Sequence, residues 1–140
     1  MTPAEILAAL RANNGYRGPS RTRVACYVAM VGECGWTMRR TLKAKPTDIP
    51  WDRLSDEGRI ALERWLEHRA ATQTPEDALL CQYAGFRPVH ETTAQRALRT
   101  YLRPLGANPS VFALRWHAGA PRSESAVRRL ADGSAVPRAV

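Results

Sequence analysis

Apolar residues recur along the chain at intervals of three and four, the spacing that places them on one face of an α-helix. The most regular segment is ETTAQRALRTYLRPLG, residues 91–106. Its apolar face is predicted to consist of Ala94, Ala97, Leu98, Tyr101, Leu102 and Leu105. No segment alternates strongly enough to indicate a sheet, although DIPWDRL or LLCQYAGFR would allow a strand pair. The pattern therefore predicts a mainly α fold: a single compact multi-helix domain of about six to eight helices, with at most a small β-hairpin.

Capping residues and helix stops divide this pattern into separate helices. Residues 2–5, Thr-Pro-Ala-Glu, form a predicted capping box with proline in the first turn, and Asn13–Gly15 ends that helix. A second helix is predicted from an N-cap at Ser20 to a stop at Gly35. Later helices are predicted to begin at Ser55, Thr74, Asn108 and Ser123. These signals predict one helical domain over residues 1–136 and a short tail at 137–140.

The chain is strongly basic, which indicates the kind of partner it binds. Its 140 residues carry a formal net charge of +8, and of the 21 basic residues only Lys43 and Lys45 are lysines. This balance favours an anionic partner, most simply double-stranded DNA, although a genome rich in G and C gives the same arginine usage. The sequence has no apolar run of about 18 residues and no secretion signal. We therefore expect a cytoplasmic protein that is nucleoid-associated when bound to DNA.

Three arginines lie opposite the apolar face of residues 91–106. Arg96, Arg99 and Arg103 are spaced at i, i+3 and i+7, so a helix packed on the core would present them together to solvent. A helix built in this way fits the major groove of DNA. An ordinary solvated face is the alternative, but no acidic residue lies among the three to pair with them. We predict that these arginines bind DNA.

A second basic group lies on a short predicted helix. The segment TMRRTLKAK, residues 37–45, is ended by Pro46 and carries Arg39, Arg40 and Lys43. Together with the helix before it, this segment resembles a helix-turn-helix, with Gly35 at the turn and TMRRTLKAK as the recognition helix. Both interpretations assign the same basic side chains to nucleic acid.

A third basic group follows the Gly15–Gly18 turn. Arg21 and Arg23 are predicted to approach the DNA backbone from this turn. A flexible loop that binds nothing explains the same residues equally well.

The cysteines and histidines indicate no metal site. Cys26, Cys34 and Cys81 are odd in number and lack CxxC spacing, so buried free thiols are expected. The three histidines do not cluster with them. We expect neither a metal nor another cofactor.

The order of the segments resembles that of a known family. The first helix, TPAEILAALRA, is followed by RTRVACYVAMVGECGWTMRRTLKAKPTDI, then by LSDEGRIALERWLEHR, TTAQRALRTYL, FALRWH and AVRRLADGS. In this order, the segments resemble the catalytic domain of the tyrosine recombinases, the phage integrase family. The resemblance spans residues 2–136 and implies an integrase-like helical domain that binds double-stranded DNA.

The residues that carry out catalysis in that family are mostly replaced here. The resemblance puts Thr37 and Phe112 at positions of a catalytic arginine and histidine, while Arg115 keeps the second arginine. No tyrosine follows Tyr101, so the nucleophile that attacks the phosphate is missing. The resemblance therefore implies a protein that is not an enzyme, in which Arg115 still holds a phosphate. Pairing of Arg115 with a carboxylate such as Glu124 is the alternative.

These observations favour a non-catalytic DNA-binding protein, a regulator or accessory factor of phage or mobile-element origin. One alternative is a helix-turn-helix transcriptional regulator. Another is a protein-interaction module that inhibits a recombinase or a different partner, with Tyr16, Trp36 and Trp51 exposed at the interface. The sequence does not indicate the oligomeric state.

Overall fold

The computed structural model describes residues 1–72, 79–80 and 89–118. Within these ranges the α-helices are α1 (Pro3–Asn14), α2 (Pro19–Tyr27), α3 (Met38–Leu42), α4 (Asp56–Thr72), α5 (Glu91–Leu102) and α6 (Val111–His117). A π-helical segment, Val28–Glu33, extends α2, and the described ranges contain no strand. The prediction of a mainly α fold is therefore confirmed.

The segment DIPWDRL forms turns, so the possible strand there was wrong. Pro46–Asp48 and Trp51–Arg53 are short 3-10 turns, and each is closed by a backbone hydrogen bond of 2.9 Å. The prolines at 46 and 50 have no N–H to donate and a fixed φ, which favours turns over a paired strand. Most of LLCQYAGFR lies outside the described residues; Leu79 and Leu80 form a bend.

The hydrophobic core forms around α2 and its π-helical extension. Every residue from Val24 to Gly32 is buried. The helices α1, α4 and α5 pack against α2, while α3 and α6 pack against the extension. The sequence V-A-C-Y-V-A-M-V-G explains this central position, because it has no charged side chain on any face.

Close packing at Gly32 holds the first helix on this core. A Cβ atom at Gly32 would lie 2.8 Å from Cγ of Pro3, which is closer than two carbon atoms approach. The absence of a side chain at this position lets the first turn of α1 contact the π-helical segment directly.

Local signals located several helix ends correctly, but the helix predicted to begin at Asn108 begins at Val111, with Ser110 as its cap. The capping box of α1 is present, since the Thr2 side chain accepts from the Glu5 N–H and the Glu5 side chain accepts from the Thr2 N–H. Ser55 accepts from the Gly58 N–H at the start of α4 (3.2 Å), as expected. Ser20 is not the cap of α2: Gly18 occupies that position and Pro19 begins the helix, because the fixed φ of proline suits the first helical residue.

The turn between α1 and α2 is built around a buried tyrosine. Tyr16 adopts a left-handed conformation, with φ of 56°, and its hydroxyl donates to the Leu7 carbonyl over 2.9 Å. Its own carbonyl accepts from the Thr22 hydroxyl. The expectation of exposed aromatic residues was therefore wrong for Tyr16 and also for Trp36, which are 1% and 6% exposed; Trp51 is half-buried.

A hydrogen-bonded link ties residues 79–80 to α4. The Trp65 indole N–H donates to the Leu79 carbonyl (2.6 Å), and the Leu79 N–H donates to the Ala44 carbonyl (3.2 Å). The helix predicted to begin at Thr74, the helix predicted to begin at Ser123 and the tail at 137–140 lie outside the described residues. None of the described helices is long and apolar enough to cross a membrane.

Candidate nucleic-acid interface

Helix α5 has one buried face and one basic face. Ala94, Leu98 and Leu102 are buried, and Ala97, Tyr101 and Leu105 are half-buried against the core. The helix begins with Glu91 in its first turn, where a negative charge is favoured, and the chain turns at Gly106, with φ of 76°. The predicted apolar face is therefore confirmed.

The opposite face of α5, continued by the 3-10 turn Arg103–Leu105, presents three exposed guanidinium groups, which together are called the basic face of α5. Arg96, Arg99 and Arg103 are all exposed and, with Thr100 and Pro104, line a shallow depression. The ion pairs of the described residues are Arg11–Glu57 and Arg64–Glu67, so no carboxylate there neutralises the three arginines. The like charges of these three guanidinium groups repel one another, and together they attract a polyanion.

Helix α3 carries the second basic group, but it is shorter than predicted. Thr37 caps it by accepting from the Arg40 N–H (3.1 Å), and the helix ends at Leu42 instead of reaching residue 45. The reason is Pro46, which holds Lys45 in an extended conformation, with ψ of 159°. A helix of five residues is about 7.5 Å long, less than a recognition helix needs to follow a groove.

The basic side chains of α3 surround a depression of about 590 Å³. Arg39, Arg40 and Lys43 are exposed and line it together with Asp48. The guanidinium carbon of Arg40 lies 3.9 Å from the centre of the Trp36 ring, a cation–π contact. Since α3 packs against α5, the two basic groups lie on neighbouring elements.

Arg21 and Arg23 are less accessible than the sequence suggested. Both lie on α2 and are half-buried. The guanidinium of Arg21 packs over the Tyr101 ring of α5 at 5.5 Å. Its Nε and Nη1 are buried, and neither finds a hydrogen-bond acceptor in the described part of the chain. The position of Arg21 therefore indicates a packing role between α2 and α5, and its buried nitrogen atoms are not accessible to DNA in this conformation.

Arg115 joins α6 to the turn that precedes α3. Its Nε donates to the Gly35 carbonyl over 3.0 Å, and the side chain is half-buried. Gly35 ends the wide turn of the π-helical segment in a left-handed conformation, with φ of 75°. This bond gives Arg115 a structural role; its contact with a phosphate stays a prediction. Glu124, the alternative partner, lies outside the described residues.

Burial keeps two of the thiols protonated. Cys26 and Cys34 are buried and free, as expected, and Cys81 lies outside the described residues. Burial raises the pKa of Cys34 to about 12, and it raises the pKa of Cys26 as well. Within residues 1–72, 79–80 and 89–118, no group of three or more His, Cys, Asp or Glu residues could hold a metal ion.

One exposed aromatic residue was missed by the sequence analysis. Phe112 is 40% exposed at the start of α6, in a segment that reads as a buried helix. Only Ala113 and Leu114 of this short helix are buried, and Phe112 lies about 100° and 200° around the helix axis from them. The sequence carried no signal of this exposure, because a helix of seven residues is too short to show which of its apolar residues faces the core.

Comparison with protein-family models, curated proteins and solved structures finds no match to this chain.

Proposed function

We propose that this chain is a non-catalytic DNA-binding protein and that the basic face of α5 is its principal contact surface. The observation that carries the proposal is the set of three exposed arginines without an ion-pair partner among the described residues. A net charge of +8 across the chain adds long-range attraction to a polyanion.

The dimensions of the basic face suit duplex DNA. Arg96 and Arg103 are seven residues apart, which corresponds to about 10 Å along the helix axis. The major groove is about 12 Å wide and admits an α-helix whose back packs on a protein core. Arg39, Arg40 and Lys43 on neighbouring α3 would then meet the phosphates beside the groove and fix the orientation.

The proposal of a non-catalytic role rests on residue types. In the resemblance to tyrosine recombinases, Arg115 is the one clamp residue retained, and its Nε is bound to a backbone carbonyl. Thr37 and Phe112 stand where the resemblance places a catalytic arginine and a catalytic histidine. The proposed role is therefore that of a regulator or accessory factor of mobile-element origin.

An electrophoretic shift assay tests the proposal with matched variants. Arg96→Ala and Arg99→Ala should each weaken duplex binding by about 10- to 150-fold, the range expected for loss of a hydrogen bond to a charged phosphate. Arg64→Ala is the control, because Arg64 is exposed on α4 and paired with Glu67. Equal binding by wild-type protein and both α5 variants would reject this surface. Failure of the wild-type protein to shift any duplex at low salt would reject the function itself.

A further inference from the structure

A groove runs between the end of α5 and the start of α6. It has a volume of about 480 Å³, within the range of small-ligand sites, and is lined by Gln95, Arg99, Arg103, Asn108, Pro109 and Phe112. None of its lining residues is acidic. Both of its lining cations, Arg99 and Arg103, belong also to the basic face of α5.

Phe112 is the unusual member of this groove. It and Met1 are the large hydrophobic side chains that stand exposed in the described part of the chain. Its backbone is held in place, because Ser110 accepts from the Ala113 N–H and Asn108 accepts from the Ser110 N–H over 2.9 Å. An aromatic ring held at the surface by fixed backbone offers a flat apolar platform at little entropic cost.

The groove thus combines three kinds of recognition. The Phe112 ring can stack on a planar group, Arg99 and Arg103 can bind phosphate, and Gln95 and Asn108 carry amide groups for polar edges. A nucleotide has all three features: a planar base, polar base edges and a phosphate. A base inside a duplex hides its faces, so only an unpaired base can use the ring.

We propose that the α5–α6 groove binds an unpaired nucleobase stacked on Phe112, with the adjoining phosphates held by Arg99 and Arg103. This inference rests on the proposed DNA-binding function and deepens it. The protein then prefers DNA with a melted, bulged or single-stranded segment over a continuous duplex, because the groove adds a contact that a duplex cannot make.

The test compares two DNA probes of the same sequence. One is a perfect duplex, and the other contains a three-base bubble with 2-aminopurine, a fluorescent base, at its centre. Wild-type protein should bind the bubble more tightly and quench the 2-aminopurine fluorescence. Phe112→Ala should weaken bubble binding by about 5- to 150-fold, the range found for loss of a base–aromatic stack, and leave duplex binding unchanged.

Two further variants separate stacking from general hydrophobic contact. Phe112→Tyr keeps a ring and should retain both the preference and the quenching, whereas Phe112→Leu keeps the apolar character and should lose both. Phe112 is exposed, so these variants should fold, and circular dichroism checks that they do.

The possible outcomes separate the groove from the proposed function. Duplex binding without bubble preference or quenching would overturn the groove assignment and leave the proposed function standing. Absence of binding to either probe would overturn both. If poly-glutamate released the bubble probe from the protein and oligo-dT did not, the groove would be assigned to acidic polypeptides and the proposal would be overturned.

Discussion

Removing the three arginines of the α5 face should change the salt dependence of DNA binding by a predictable amount. Each cation that neutralises a phosphate contributes about 0.9 to the slope of log affinity against log salt concentration. This slope is negative, and replacing Arg96, Arg99 and Arg103 by glutamine should reduce its magnitude by about 2.7. Between 50 and 200 mM salt, wild-type affinity should fall about 40-fold further than the affinity of the triple variant.

Fluorescence anisotropy of a labelled duplex at four or five salt concentrations measures both slopes. The control is the triple glutamine variant of Arg53, Arg59 and Arg64, which removes the same charge from α4 and the turn before it. Because the α5 arginines are exposed and have no ion-pair partner among the described residues, their replacement should hardly alter the melting temperature. Equal slopes for wild type and the α5 variant would refute the reasoning. A slope lowered as much by the control would show that only net charge matters.

Three further predictions concern stability. Tyr16→Phe should lower the free energy of unfolding in urea by about 1 kcal/mol, because the hydrogen bond to the Leu7 carbonyl is lost; an unchanged midpoint would contradict this. Gly32→Ala should lower the melting temperature, because the added Cβ would meet the Pro3 ring at 2.8 Å; a higher melting temperature, as helix propensity alone predicts, would contradict it. The free energy of unfolding should decline as pH rises from 9 towards 12. The cause is that the Cys34 thiol of the unfolded chain has a pKa near 9.0, whereas burial raises its pKa in the folded protein to about 12. A flat free energy of unfolding in urea over that pH interval would contradict this.

The parts of the fold that sequence could predict are those with local causes. The capping box at Thr2, the cap at Ser55 and the apolar face of α5 each depend on residues within a few positions of one another. The arginine face follows from the same spacing. For α5, helix and basic face were therefore both predictable.

The remaining features depend on contacts between distant segments. The turn that follows the π-helical segment is joined to α6 by the bond from Arg115 to the Gly35 carbonyl, 80 positions apart in sequence. Arg21 is half-buried because α5 brings Tyr101 over it. Neither contact leaves a periodic signal in the sequence. The burial of Trp36 under Arg40 is equally invisible there, since an aromatic residue beside cations also fits an exposed interface.

The orientation of Phe112 shows the limit for short helices. Helix α6 has only seven residues, or about two turns, and this is too short for the spacing of its apolar residues to show which of them faces the core. Composition alone placed this segment in the core. The sequence therefore predicted one part of the candidate site, the arginines of α5, from their spacing. The other part, the exposed ring of Phe112, follows from how α6 packs and could not be predicted.

Photo-crosslinking tests the central claim, that DNA lies on the basic face of α5, most directly. The photoreactive residue benzoylphenylalanine replaces Thr100, which is exposed among the three arginines, or Glu63, which is exposed on α4 as the control. Irradiation with a labelled duplex should attach DNA covalently to the protein substituted at position 100 and not to that substituted at position 63. Crosslinking at position 63 alone, or equally at both positions, would contradict the account.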